Sequence, residues 1–300
     1  MKIDSKEISL SQLIATSKVV TDEVKFVNEQ PFAYFTRATS ELNEAKCLFI
    51  GGTKFAKSID ENTKMVITNS ETYASLHDLT CGFCITERPR DLFFQLMDEY
   101  ERNLATKLPS TIVGRDCHIS PLASVAKKGV VIGDGVTIED FAQIEPNTII
   151  GDNSIICAGA KIGVQAYNLY DYAGRRKRLF HGGKTIIGKN VLISHNTIVE
   201  QALYWYLTTS IADNTKIDVN VIIGHNDCIG KNCEITGGAN IAGFVTIGDN
   251  TVIRLGVSVA NGLRIGNNAH VGIGAVVVHN VKDNANMFGN PAKDISKFSR

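Results

Sequence analysis

Among the seven histidines of this 300-residue chain, His225 is placed to do acid–base work. It follows Ile223-Gly224 and precedes Asn226. An imidazole titrates near neutrality, so in its neutral form it can take a proton from a reacting group. Gly243 stands eighteen residues further on, and Asp218 seven residues before. The other histidines (His77, His118, His181, His195, His270 and His279) show no metal-ligand spacing, so the sequence indicates no metal site. Cys81-Gly82-Phe83-Cys84 is a CxxC without a second pair or a histidine partner, and it reads as a buried strand. Arg175-Arg176-Lys177-Arg178, near Tyr167, Tyr170 and Tyr172, is either a phosphate contact or a solvated basic hairpin.

The elements that must position these residues are set by a period of six. From Ile187 to Val277 an apolar side chain falls on every sixth residue, all Ile or Val except Trp205. The rhythm also runs from Ile132 through Ile138, Ile144, Ile150 and Ile156 to Ile162, led in one residue out of phase by Val113, Ile119 and Val125. Six matches neither a helix nor simple strand alternation; it marks a hexapeptide solenoid. Turn-type residues recur every eighteen, as in Gly133-Asp134-Gly135 and Gly151-Asp152-Asn153, so each coil has three sides and one marked corner. The expected fold is mostly β: a left-handed parallel β-helix over 109–300, preceded by a small α/β domain over 1–108 with Leu108-Pro109-Ser110 as the joint.

The twenty-five-residue step from Ile162 to Ile187, and a next corner arriving twenty-four residues after Ile187 instead of eighteen, predict excursions near 164–184 and 200–209, and Trp205 then belongs to a loop. In the first domain, Cys47–Ile50, Met65–Thr68 and Gly82–Thr86 read as buried strands. Asp91–Tyr100 reads as a helix after a breaker at Arg88-Pro89-Arg90.

Composition bounds the partners. Lys plus Arg and Asp plus Glu are 31 each, so no global field favours nucleic acid or an acidic membrane. No apolar run is long enough to span a bilayer, and Met1–Lys6 lacks the apolar stretch of a leader. Seven cysteines without framework spacing suit a reducing, cytoplasmic setting.

A repeat of this kind serves scaffolds, ice-binding surfaces, zinc enzymes and acyltransferases alike. Scattered histidines argue against zinc catalysis, and no Thr or Ser row argues for an ice-binding face. Gly243, one coil above His225, is placed to point its N–H into the cleft His225 lines and stabilise an oxyanion; alternatively it is a corner glycine kept for its backbone angles. Asp218 and Asn226 are candidates to orient the imidazole or a substrate, with Asp218 equally readable as a solvated turn carboxylate.

Lys216-Ile217-Asp218, His225-Asn226, Ile229-Gly230 and Ile241-Ala242-Gly243 resemble the UDP-3-O-acyl-glucosamine N-acyltransferases of lipid A biosynthesis, over nearly the whole chain. Phe49 and Lys54, with Glu87-Arg88-Pro89-Arg90, match more weakly. The resemblance implies a general base at His225, an oxyanion donor at Gly243, uridine held by the first domain through Phe49 and Phe55, and a homotrimer with shared sites. Where that family has a second histidine this chain has Gly262, and its uridine-pocket Asn and Tyr align with Gly52 and Phe55. Instead of C-terminal helices the chain has Phe288–Ile295, similar to the closing motif of acetyl-CoA-dependent sugar transferases, which would place Asn290, Pro291 and Lys293 beside a CoA tail. The expectation is therefore transfer of a short acyl group from acyl-CoA to the amine of a nucleotide-linked amino sugar, Arg175 and Arg176 contacting phosphates. The alternatives are the lipid A enzyme with acyl carrier protein as donor, and a non-catalytic scaffold. No permanently bound cofactor is implied.

Overall fold

The computed structural model describes residues 7–19, 23–38, 42–172 and 174–295. Met1–Lys6 and Ala173 lie outside them. Two compact units are present: one of 1–106 with 167–180, the other of 107–166 with 181–300.

The second unit is a three-faced parallel β-helix. Its first face runs from Ile112–Val113 to Arg264–Ile265, its second from His118–Ile119 to Lys293–Asp294, and its third from Ser124–Val125 to Val276–Val277. Coils stack in register, so Ile223 pairs with Ile241 and Ile229 with Ile247. The inward Ile and Val columns form one continuous buried core. Each such side chain contributes roughly 1.5–3 kcal/mol of apolar burial, which explains the strict register. The one-residue phase shift near the start is absorbed between the first coils, where Val113 pairs with Ile132. Ile112 and Val113 are exposed because no coil covers them on the outer side.

Turn chemistry is denser than the sequence period suggests. Left-handed backbone appears at successive corners, as at Asn214, Asn220 and Asn226 (φ 62°, 55° and 65°), not once per coil. The corner between the first and second faces is the most regular in sequence because it also carries an asparagine ladder, with amides 3.1 and 3.2 Å apart from Asn232 to Asn250 to Asn268. The other corners use Gly, Asn and even Phe141 and Phe244, so their common conformation is hidden by mixed residue types.

Both excursions leave the corner between the third and first faces. Ile150 pairs with Ile187, and Ile187 with Ile211, in place of the usual eighteen-residue step. The second excursion lies between Ile198–Glu200 and Thr208–Ile211; Trp205 belongs to it, outside any strand yet buried. The first excursion is a hairpin rather than a plain loop, Leu169–Tyr172 pairing with Arg175–Arg178.

That hairpin groups with the first unit, whose five-stranded sheet orders Lys25–Val27, Gly82–Ile85, Thr63–Thr68, Lys46–Ile50 and Tyr34–Phe35. All its pairings are parallel except that of Lys25–Val27. The long helix is Pro89–Thr106, so Pro89 opens it instead of breaking the chain before it. A proline is well placed in a first helical turn because its missing N–H would have had no intrahelical partner. On that helix Asp98 accepts the Phe180 N–H at 2.6 Å and binds Arg102 at 2.9 Å, strapping the hairpin's return strand to it. Cys84 lies in the buried strand expected for it, and burial pushes its thiol up to about 12.

Candidate active site

The corner between the third and first faces collects the chemistry. In successive coils it carries the two excursions, then His225-Asn226, then Gly243-Phe244, then Asn261-Gly262. His225 is half-buried, not simply projecting from a bare corner. Its ring meets His181 and Phe244 edge-on, with centroids 5.2 Å away in each case.

The tautomer of His225 is fixed by its neighbours. Leu203 N–H in the second excursion donates to Asn226 Oδ1 at 3.1 Å, which identifies that atom as the amide oxygen. His225 Nδ1 lies 2.9 Å from the same oxygen and must be the donor, since an amide oxygen only accepts. In the neutral ring Nε2 is then the basic nitrogen. Asn226 is the orienting residue of the pair.

Gly243 lies directly above. A Cβ built on it would sit 2.9 Å from His225 Nε2 and 3.0 Å from Cδ2. Its backbone is not left-handed; Phe244 takes that role at φ 62°, so Gly243 is required for space and not for its angles. The Gly243 N–H meets no protein acceptor among the described residues. A buried donor without a partner is uncommon and suits a transient negative charge. Asn261 Nδ2 donates to the Gly243 carbonyl at 2.5 Å, anchoring this peptide from the next coil.

Three residues unremarked in the sequence support this corner. Asp227 is fully buried and accepts Gly224 N–H at 2.9 Å and Val245 N–H at 2.8 Å, stapling the His225 turn to the Gly243 turn. Burial drives its carboxyl up to about 9 despite those two bonds. Glu200 accepts the His225 N–H at 3.1 Å, and burial also raises its carboxyl. His181, fully buried, has Nδ1 3.0 Å from the Gln201 carbonyl and supplies a second imidazole beside the first. A signal for Asp227 was present: from Thr185 to Val281 its hexad register otherwise holds only Thr, Val, Leu, Cys and Ala. His181 and Glu200 border the excursions, where the period carries no information.

Other candidates lie elsewhere. Asp218 is exposed at the corner between the second and third faces, and its carboxylate accepts Gly237 N–H at 3.0 Å rather than touching His225. Asn290, Pro291 and Lys293 are exposed on the closing turn, where Ala292 N–H donates to Val276 O at 2.6 Å. In the first unit Phe49 packs on Phe93 and Phe94, with centroids 5.3 and 5.8 Å away, so its ring is largely committed to the sheet–helix core. Phe55 is the more exposed ring, with Lys54 Nζ 4.9 Å from its centroid. Arg175, Arg176, Lys177 and Arg178 are all exposed on the hairpin.

This fold and corner define a class: a left-handed parallel β-helix of hexapeptide repeats. Residues 129–163 match the bacterial transferase hexapeptide (six repeats) family. A UDP-3-O-acylglucosamine N-acyltransferase from Rickettsia akari (strain Hartford) is 41% identical over 99 residues, 33% of this chain and 28% of that protein. One of the same name from Francisella tularensis subsp. tularensis is 40% identical over 102 residues, covering 33% and 29%. The chain thus spans less than a third of the length of the curated relatives it matches. Among solved structures, a UDP-N-acetylglucosamine acyltransferase from Bacteroides fragilis superposes with TM-score 0.56 at 23% identity, over 62% of this chain and 70% of that one. That from Campylobacter jejuni gives TM-score 0.54 at 24% identity, over 62% and 69%. At these identities the likeness is one of fold. No helix among the described residues is long and apolar enough to cross a membrane.

Proposed function

We propose that the chain is an N-acyltransferase that acylates the amine of a nucleotide-linked amino sugar, working from the His225 corner. The observation that carries this is the pairing of a base with an oxyanion donor: an imidazole whose Nε2 faces Gly243, whose own N–H has no hydrogen-bond acceptor among the described residues. The sugar amine attacks the carbonyl carbon of an acyl thioester, and its proton passes to Nε2 as the C–N bond forms. The carbonyl oxygen becomes an oxyanion facing the Gly243 N–H. Collapse of the intermediate breaks the C–S bond, and the departing sulfur takes the proton back from the imidazolium.

The names of the relatives favour an acylated glucosamine on UDP as acceptor, the lipid A type of reaction, over the short-chain transfer expected from the C-terminal segment. In that reading the donor is an acyl carrier protein. A short acyl-CoA donor is supported by Asn290-Pro291-Ala292-Lys293, whose exposed Lys293 suits a phosphate of the CoA tail. Phe55 is the ring available to stack on a base. A homotrimer of threefold symmetry, with sites completed between neighbours, fits the prism. Light scattering showing a stable monomer at working concentration would remove the shared site.

Thiol release is the assay: hydroxyacyl carrier protein and acetyl-CoA are each offered with a panel of nucleotide amino sugars. Amine-dependent release with a UDP-linked 3-O-acylated glucosamine supports the lipid A type. Release with acetyl-CoA alone among donors supports the short-chain type. No release with any pair overturns the transferase reading.

A further inference from the structure

The corner between the second and third faces holds a cluster that the transferase reading does not use. Glu139, Cys157 and His195 come from three consecutive coils, since Ile138 pairs with Ile156 and Ile156 with Ile193. One donor atom of each, a carboxylate oxygen, Sγ and a ring nitrogen, lies within 4.8 Å of the others. The sequence hid this group because its members are eighteen and thirty-eight residues apart, the second interval including the hairpin excursion.

Each side chain is held from behind. Glu139 Oε2 accepts the Ala158 N–H at 2.9 Å. His195 Nδ1 lies 3.2 Å from Ser194 Oγ, and its Nε2 is 3.8 Å from Glu139 Oε2. Ala158 occupies the hexad place of His195 one coil earlier, so the stacking position next to His195 carries only a methyl group. Cys157 is buried, Glu139 half-buried and His195 exposed, giving the cluster a floor and an open side.

We propose that Glu139, Cys157 and His195 bind a zinc-type divalent cation, with water as the fourth ligand. A thiolate, an imidazole and a carboxylate form a donor set for a borderline-soft ion; magnesium and calcium demand oxygen throughout. Bonds of about 2.0–2.3 Å in a tetrahedron place ligand atoms roughly 3.5 Å apart. The cluster must therefore contract by about 1 Å, which the exposed His195 side chain can supply by rotation about its own bonds. Ser194 Oγ and the Ala158 N–H are the outer partners that aim the imidazole and the carboxylate. The bound ion would clip three coils together at a corner remote in the hexad pattern from that of His225, and the site stands whether or not the chain is a transferase.

Cobalt substitution tests it. The metal-free full chain, in a Cys228→Ser background because Cys228 is exposed, is titrated with Co²⁺. The expected result is a near-ultraviolet thiolate-to-cobalt band and the visible bands of a tetrahedral ion, saturating at about one equivalent and abolished by Zn²⁺. Cys157→Ser removes the near-ultraviolet band. Glu139→Gln and His195→Ala weaken binding at least about tenfold, and Ser194→Ala by about tenfold. Zn²⁺ raises the thermal midpoint of the parent chain and not that of Cys157→Ser. Absence of the charge-transfer band, or its persistence in Cys157→Ser, overturns the proposal. Should Cys157→Ser fail to fold, the double variant Glu139→Gln, His195→Ala carries the same decision, since unchanged cobalt affinity there is equally fatal.

Discussion

Gly243 stands so close above His225 that a single added methyl would lie 2.9 Å from the imidazole Nε2. The glycine therefore keeps a methyl off the Nε2 edge of the ring and, in the same place, presents an N–H with no hydrogen-bond acceptor among the described residues. Gly243→Ala puts its methyl 2.9 Å from the His225 carbonyl oxygen as well, so the turn must shift; turnover should fall by roughly a hundredfold, because displacing a reacting group by about 1 Å costs that much. Michaelis constants should change little. Wild-type turnover in this variant would show that the space above Nε2 is not where reaction occurs.

His225→Ala should reduce turnover by about a hundred- to ten-thousand-fold with ligand binding retained, since proton transfer belongs to the transition state. Asn226→Leu is the companion variant. It removes the oxygen shared by His225 Nδ1 and Leu203 N–H and frees the ring to take the other tautomer. Turnover should fall at least about tenfold while His225 remains present. Full activity in His225→Ala would mean that the amine loses its proton elsewhere.

Asp227 makes stability depend on pH. Its carboxyl is raised to about 9 in the fold by burial, far above its unfolded value. A raised group adds stability below its unfolded value and loses it as pH climbs to the folded value. The unfolding free energy from urea titrations should therefore fall between about pH 4 and pH 9, by up to about 1.4 kcal/mol per pH unit from this residue. Glu200, raised in the same direction, adds to the early part of that slope. Asp227→Asn should flatten the curve above pH 6 while lowering stability at acid pH through the lost backbone bond. An unchanged slope would show that the carboxyl titrates normally.

Replacing Arg175, Arg176, Lys177 and Arg178 by Ser should raise the Michaelis constant for a phosphate-bearing substrate most at low salt. The side chains are exposed, and the Arg176–Asp171 approach is 3.9 Å, too loose to matter for folding. Thermal midpoints should stay constant. Unchanged kinetic constants at low salt would leave the hairpin as a solvated surface.

The β-helix was legible in the sequence because a parallel stack repeats its demand. Every strand must send one apolar side chain inward at the same phase, so Ile229, Ile247 and Ile265 declare the architecture without reference to one another. The same arithmetic placed Gly243 above His225, and it located the first excursion by its break in phase and the second by a corner that arrives after twenty-four residues instead of eighteen. What the period could not say was how side chains meet once coils stack. The reach of the second excursion puts Leu203 N–H on Asn226, and with it the proton on Nδ1 of His225. The first excursion returns at His181 to bring a second ring against the first. Asp218 kept its hexad place but faces another corner, since seven residues of this chain turn past one full side of the prism. Local periodicity dictates where a residue lies on the coil; contacts between coils, and between a coil and its own insertions, depend on distances that only the folded chain sets.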